Sequence, residues 1–331
     1  MSASAADATT ILIVALCAVV FPWLAMRMIV PALKRAPMGH VTNYRGRTVV
    51  AGLGLVWVAW TIGMLGAGRI MERFDRSLAV ARNVPYSALP AAMPFVLVLG
   101  VFALGFADDV FGSSAERGFR GHLGALRQGR LTTGGLKLLG VGLLAAVTVR
   151  PTMVSGPRWK VLLEWLVEVL AIALTANLVN LLDLRPGRAL KFYGFAATVC
   201  AVSFAFWGQW VFSIELACAL LGPVIAVWGF DLGERGMLGD AGANAMGALL
   251  GWVVAIVLPV RLLALYVVVV LALNLLSERI SFSRAIEGNP VLSWIDGIGR
   301  LPAGEPAISD RIAPISGESA KTSHHSETND R

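Results

Sequence analysis

Long apolar runs separated by short polar turns fill the chain from Leu12 to Leu276. A hydrocarbon layer about 30 Å thick is crossed by about 20 residues of α-helix. Laid along the runs, that length predicts nine spans, at 11–33, 49–68, 89–107, 133–150, 161–182, 190–208, 212–230, 241–258 and 261–277. The sixth and seventh are separated by little more than Gly208 to Val211, so their turn is short. No internal repeat of the kind that marks an inverted-topology transporter is present. The expected fold class is all-α: a polytopic integral membrane protein with about nine or ten transmembrane helices over residues 1–301. Residues 302–331, rich in Gly, Pro, Ser and charge, are expected to form a disordered tail.

The ten residues before Ile11 carry no basic stretch, and the first run ends at Lys34 and Arg35. That pattern predicts a retained first helix with its N-terminus outside, not a cleaved signal. Lys and Arg number twelve in the loops after spans one, three, five and seven, against eight after the even spans. Basic loops stay cytoplasmic. Parity then sends Asp108, Asp109, Asp183, Asp231 and Asp240 to the cytoplasmic side, where one shared site becomes geometrically allowed.

Composition narrows the class further. A chain of 331 residues with 56% hydrophobic content, only 15% charged residues and a mean hydropathy of +0.71 is no ordinary soluble domain. The net charge of +7 points to anionic lipid or phosphate-bearing substrates. Nucleic acid is excluded by the placement of the arginines, in short loops between apolar runs. Cys17, Cys200 and Cys218 fall inside those runs without metal spacing and read as small buried hydrophobes. His40 and His122 are isolated, and His324 and His325 lie in the tail; none reads as a metal ligand.

Candidate chemistry begins at Phe106-Ala107-Asp108-Asp109-Val110-Phe111-Gly112, where two carboxylates close an apolar run. Carboxylates at a helix C-terminus oppose the macrodipole, and at a membrane edge they demand a cation. They suit Mg2+ or a phosphate-bearing nucleophile. Asn177, Asn180 and Asp183 recur every three residues and line either a ligand cavity or a helix contact. Asp240, set among glycines in Gly236-Met237-Leu238-Gly239-Asp240-Ala241-Gly242, serves as a metal ligand or as an N-cap. Lys137, one turn after Thr132-Thr133, meets a phosphate or reaches to the interface. Arg45, in Asn43-Tyr44-Arg45-Gly46-Arg47, grips a diphosphate or fixes topology. Ser281 to Arg300 breaks at Asn289-Pro290 into two amphipathic pieces suited to the membrane interface, for acceptor-lipid docking or anchoring.

Four of these motifs, NYRGR at 43–47, FADDVFG at 106–112, NLVNLLD at 177–183 and MLGDAGA at 237–243, together resemble the polyprenyl-phosphate N-acetylhexosamine-1-phosphate transferase family. That family includes the phospho-N-acetylmuramoyl-pentapeptide transferases and the undecaprenyl-phosphate GlcNAc-1-phosphate transferases. The similarity runs over about residues 10–300 with the motifs in the family's order. It implies a Mg2+-dependent phosphotransferase of the bacterial plasma membrane, active at its cytoplasmic face in cell-wall or envelope glycan synthesis. Sugar-1-phosphate would pass from a UDP-sugar to undecaprenyl phosphate with release of UMP. Nucleotide-sugar, polyprenyl phosphate and membrane lipids are the implied partners, nucleic acid is not, and a homodimer is admitted. By position, Asp240 would be the main metal ligand with Asp109 as a second, and Asp108 and Asp109 would both contact the metal and the lipid phosphate, Asp108 as its base. Asn177, Asn180 and Asp183 would line the nucleotide side, with Lys137 and Arg45 on phosphates.

The chain departs from the family at three places: Pro186 stands where a second Asp is usual, Met237 where an aromatic often precedes the Gly-Asp motif, and SFSRAIEGNPVLSWIDGIGR contains no histidine. Two rival readings follow, a catalytically inactive scaffold of envelope assembly and a transporter of lipid intermediates. The acids at helix ends, not at the midplane, count against the transporter. A CDP-alcohol phosphotransferase would require a DGxxAR run, which is absent.

Overall fold

A computed structural model describes residues 3–36, 39–74, 92–112, 124, 127–129, 132–149 and 157–302. The expected tail from residue 303, together with His122, Arg117, Arg120 and Arg130, lies outside them. The helices are α1 (Ala3–Ala15) and α2 (Phe21–Arg35), joined by a π-turn at Leu16–Val20, then α3 (Val56–Phe74), α4 (Met93–Phe111) and α5 (Thr133–Thr148). They continue with α6 (Arg158–Leu182), α7 (Arg188–Phe206), α8 (Trp210–Leu232), α9 (Gly239–Val257) and α10 (Val260–Ser277), followed by short α11 (Phe282–Glu287) and α12 (Pro290–Gly297). Among the described residues, eight helical stretches are long and apolar enough to cross a membrane, the first running continuously from Ala6 to Arg35, and α5 is a shorter apolar helix. The molecule is therefore an all-α polytopic membrane protein, with spans close to those read from the hydrophobic runs.

Helix α9 is the axis of the bundle: every residue from Ala241 to Ala255 is buried. Lipid gives apolar side chains no reason to prefer protein, so membrane helices associate by close backbone contact over small residues. Here Gly247 and Gly251 face α6 so closely that an added Cβ would stand 2.6 Å from Ala176 Cα and 2.7 Å from Ile172 Cα. On another side Gly105 of α4 meets the first turn of α9, where a Cβ would lie 2.6 Å from Ala241 Cα. That contact sets the end of α4 against the start of α9.

Pro223 lies inside α8 and donates no N–H, which frees the carbonyl one turn earlier. The freed group is Ala219 O, and the Trp60 indole of α3 donates to it at 2.8 Å. With no water to take the orphaned carbonyl, such a partner is obligatory in a bilayer.

One small sheet interrupts the helices. Strands β1 (His40–Thr42) and β2 (Thr48–Ala51) pair antiparallel, and β3 (Gly236–Met237) adds in parallel to β2, with Val50 opposite Gly236. The expectation that helix begins at residue 49 is corrected here: residues 48–51 are strand, and α3 starts only after a 3-10 turn at Leu53–Leu55. Thr48, Val49 and Val50 are β-branched and favour strand, while Gly52 at φ +119° stops any helix from running through.

Helix α9 should tolerate no side chain at its α6 contact. Gly247→Val is expected to lower stability by about 1–3 kcal/mol through overpacking, read as the thermal unfolding midpoint in detergent. Gly66→Val in α3, where an added Cβ meets nothing within 4 Å, should leave that midpoint nearly unchanged.

Candidate active site

Asp108 and Asp109 end α4, where the macrodipole works against negative charge. Two compensations are present. The Lys137 ammonium lies 2.7 Å from Asp108 Oδ2 and also pairs with Asp240 Oδ2. Asp109 instead accepts from the Asp240 amide at 2.9 Å through Oδ1 and from the Ala241 amide at 3.0 Å through Oδ2. The acid that closes one helix thus satisfies the unpaired N–H groups that open another, whose positive dipole end attracts it. Gly239 makes the approach feasible: it holds φ +68°, and a Cβ on it would fall 2.7 Å from Asp109 Oδ2. Lys137 reaches the pair because α5 starts at a defined place, with Thr132 Oγ1 accepting from the Gly135 amide at 3.0 Å.

Asp183 follows α6 directly and approaches the same turn, with the Gly239 amide facing its carboxylate. Burial first, then the charges of Asp231, Asp240 and Asp109, raise its carboxyl well above the ordinary carboxylate range. Asp231, at the end of α8, accepts from the Gly187 amide at 2.5 Å. Asp183 and Asp231 also border a small cleft with a cavity volume of about 20 Å3, bounded further by Asn43, Tyr44, Arg185, Pro186, Glu234 and Met237. Asp183 therefore stands between the cleft and the Lys137 centre.

The remaining sequence candidates lie elsewhere. Asn177 donates to Asn274 Oδ1 of α10 at 2.6 Å, and Asn274 in turn donates to Leu174 O and Val270 O, which is an interhelical clasp. Asn180 is partly buried one turn further on. Arg45 pairs with Glu234 at 3.0 Å and donates to Leu301 O at 2.8 Å and Pro302 O at 3.2 Å.

Sequence reading passed over Glu234, Tyr44 and Asp296. Glu234 holds φ +50°, unusual for a residue with a side chain. Its buried carboxylate takes Asn43 Nδ2 at 3.0 Å and Arg47 at 3.1 Å, fixing the β1–β2 turn beside the cleft. Tyr44 carries the Arg185 guanidinium 4.2 Å from its ring centre and accepts from Arg300 at 3.1 Å. Asp296 is gripped by Arg188 through two bonds of 2.9 Å and by Arg300 at 2.6 Å. The composition of these motifs hinted at charge pairing; apart from Arg300, four residues after Asp296, the partners lie 108 to 256 residues away in sequence and gave no local signal.

Mg2+ is commonly held by one or two carboxylates plus substrate phosphates. Asp108 and Asp240 already converge on one cation, the Lys137 ammonium, so this donor pair fits such an ion. Asp109 spends one lone pair of each oxygen on an amide and retains others. Among the described residues, no three His, Cys, Asp or Glu side chains gather into a cage of their own. Two carboxylates meet one ammonium, so the centre can accept further positive charge. No protein-family model matches the chain, and no curated protein matches it.

Burial works to raise the Asp296 carboxyl, but the hydrogen bonds and charge of Arg188, then of Arg300 and Lys191, outweigh it and hold the group below its ordinary range. A lowered folded-state value stabilises above the unfolded value, about 3.9 for Asp, and that stabilisation is lost as pH falls through the folded value. Asp296→Asn should therefore melt below the wild type at neutral pH, by up to about 3–5 kcal/mol for a broken buried pair. The gap in detergent melting midpoints should narrow as pH drops below the ordinary carboxylate value.

Proposed function

We propose that the chain is a phosphotransferase that moves a sugar-1-phosphate from a UDP-sugar to a polyprenyl phosphate, releasing UMP. In this reading it sits in the bacterial plasma membrane with the Asp108–Lys137–Asp240 end in the cytoplasm. One observation carries the proposal: two acids from different helices and a lysine from a third meet at one bundle end, at the start of α9.

The reaction joins two anions. A lipid phosphate oxygen forms a bond to the sugar-bearing phosphorus of the nucleotide diphosphate, the bridging P–O bond breaks, and UMP leaves with that bond's electron pair. Bringing the anions together requires fixed positive charge more than covalent help. Mg2+, held by Asp108 and Asp240, would supply neutralisation and orientation of the diphosphate. Lys137 stands at the same point and adds a cation that contacts phosphate once its carboxylates are otherwise engaged. Asp109 acts through the backbone, keeping the Gly239–Ala241 turn where the two acids converge. The nucleotide would lie on the Asp183 side of this centre, over the small cleft that Tyr44, Arg185 and Met237 border. Pro186 and Met237, which stand where the resembling family carries other residues, line that cleft, and so bear on which nucleotide-sugar is used.

Purified protein with Mg2+, undecaprenyl phosphate and a panel of UDP-sugars should release UMP with at least one sugar. Asp108→Asn, Asp240→Asn and Lys137→Met should each cut that rate by about 10²-fold or more, while Asp109→Ala should also lower the melting midpoint, as loss of a cap worth about 0.5–2 kcal/mol requires. Wild-type rates in the first three variants would refute the site. Failure of every UDP-sugar would favour the scaffold reading.

A further inference from the structure

Helix α12 is built inside out relative to a helix on a soluble protein. Val291, Trp294 and Ile295 follow the i, i+3, i+4 spacing that forms one helical stripe, and Ile298, the residue just past the helix end, extends it. Their exposures are 64%, 70%, 43% and 46%, whereas Asp296, the acid of the same helix, is 7% exposed. Water would reverse that arrangement. The helix is nevertheless firmly made: Asn289 caps it, accepting from the Val291 and Leu292 amides at 3.0 and 3.1 Å, and Pro290 occupies the first position.

What the helix does grip is polar. Asp296 is clamped by Arg188, the first residue of α7, and Lys191 donates to Ile295 O at 3.1 Å and Asp296 O at 2.6 Å, neutralising the negative helix end. These anchors fix the level of α12 at the mouth of a membrane span, on the side of the bundle that holds Asp183. The chain reaches that level without leaving the bundle edge. Helix α10 ends with Leu275 and Leu276 exposed outward, and Ile280 continues the outward apolar surface before α11 begins at Phe282. Exposed Arg279 and Arg284 flank the path; Glu278 lies beside Arg279, while Glu287 is engaged by Arg185 at 2.7 Å.

We propose that α12 is an interfacial anchor whose Val291–Trp294–Ile295–Ile298 stripe rests in the lipid leaflet at the active-site end of the bundle, among headgroups and upper acyl chains. A short helix with a wide apolar stripe, a Trp in it and a polar flank is the form that lies along an interface. The occupant is lipid because the stripe continues the outward apolar surface of α10 at the same membrane end. The anchor also joins the bilayer to the cleft rim: Arg300 links α12 to Tyr44, and Arg45 holds Leu301 and Pro302. The proposal stands whether or not the chain transfers phosphosugars.

The test places bimane at single cysteines in full-length protein with Cys17, Cys200 and Cys218 changed to Ser, in nanodiscs of phosphatidylcholine and phosphatidylglycerol. Trp294→Cys reports the stripe, Ser293→Cys the other side of the same helix, and Leu143→Cys of α5, 66% exposed within an apolar helix, the hydrocarbon. Bimane at 294 should be quenched about twofold more by a nitroxide near the headgroup than by one at the chain terminus, as a depth of about 5–10 Å implies. It should resist aqueous iodide, bimane at 293 should be reached by iodide, and bimane at 143 should favour the deep nitroxide, confirming an intact bundle. Iodide access at 294 would overturn the proposal. So would protection there from iodide and both nitroxides, which would mean that protein, such as a second copy, covers the stripe, and so would identical behaviour at 293 and 294.

Discussion

The contact between the end of α4 and the start of α9 is the constraint from which the rest of the site follows. A helix that opens inside a membrane protein presents amides that lipid cannot satisfy. A helix that closes with acids presents charge that its own dipole resists. Each end solves the other's difficulty through Asp109, and the fit holds because Gly105 and Gly239 remove the side chains that would force the two backbones apart. With Asp109 committed, its neighbour Asp108 is left to point at Lys137 and Asp240. The acidic pair thus divides into a member held by backbone amides and a member paired with Lys137.

The second polar layer works by the same logic at a different place. Glu234 in its left-handed conformation ties the β1–β2 turn to the end of α8, and Arg188 ties α12 to the start of α7. Charges at those depths are tolerable only when paired and hydrogen-bonded, so each pair is also a positional lock. Between the locks lies the small cleft, whose walls hold Tyr44, Arg185, Asp183 and Asp231. Carboxylates meet guanidinium groups beside it at Glu234 with Arg45 and Arg47, and at Asp296 with Arg188.

Lipid determines the outside as strictly as these pairs determine the inside. Small residues gather on α9 and its neighbours because close approach is what holds helices together in a bilayer, while large apolar side chains such as Leu143 and Val268 point outward. The inversion in α12, apolar out and acid in, extends that pattern past the last span.

By itself the sequence determined the all-α membrane class and the placement of most spans, since about 20 apolar residues per crossing is a constraint written locally. Of the nine spans it predicts, eight are long and apolar enough among the described residues and the fourth is the shorter helix Thr133–Thr148. It also marked where charge gathers, because Asp108, Asp109, Lys137 and Asp240 are conspicuous as charges at the ends of apolar runs. It did not distinguish Asp108 from Asp109, separate Asn177 as an interhelical clasp from Asp183 at the cleft, or reveal Glu234 and Asp296 as hubs. Nor did it show that residues 48–51 and 236–237 pair as strands. Those distinctions arose only in the tertiary structure, because each depends on which donor a side chain meets across a long loop. Hydrophobic length is a property of one segment, whereas the partner of a buried charge is a property of two.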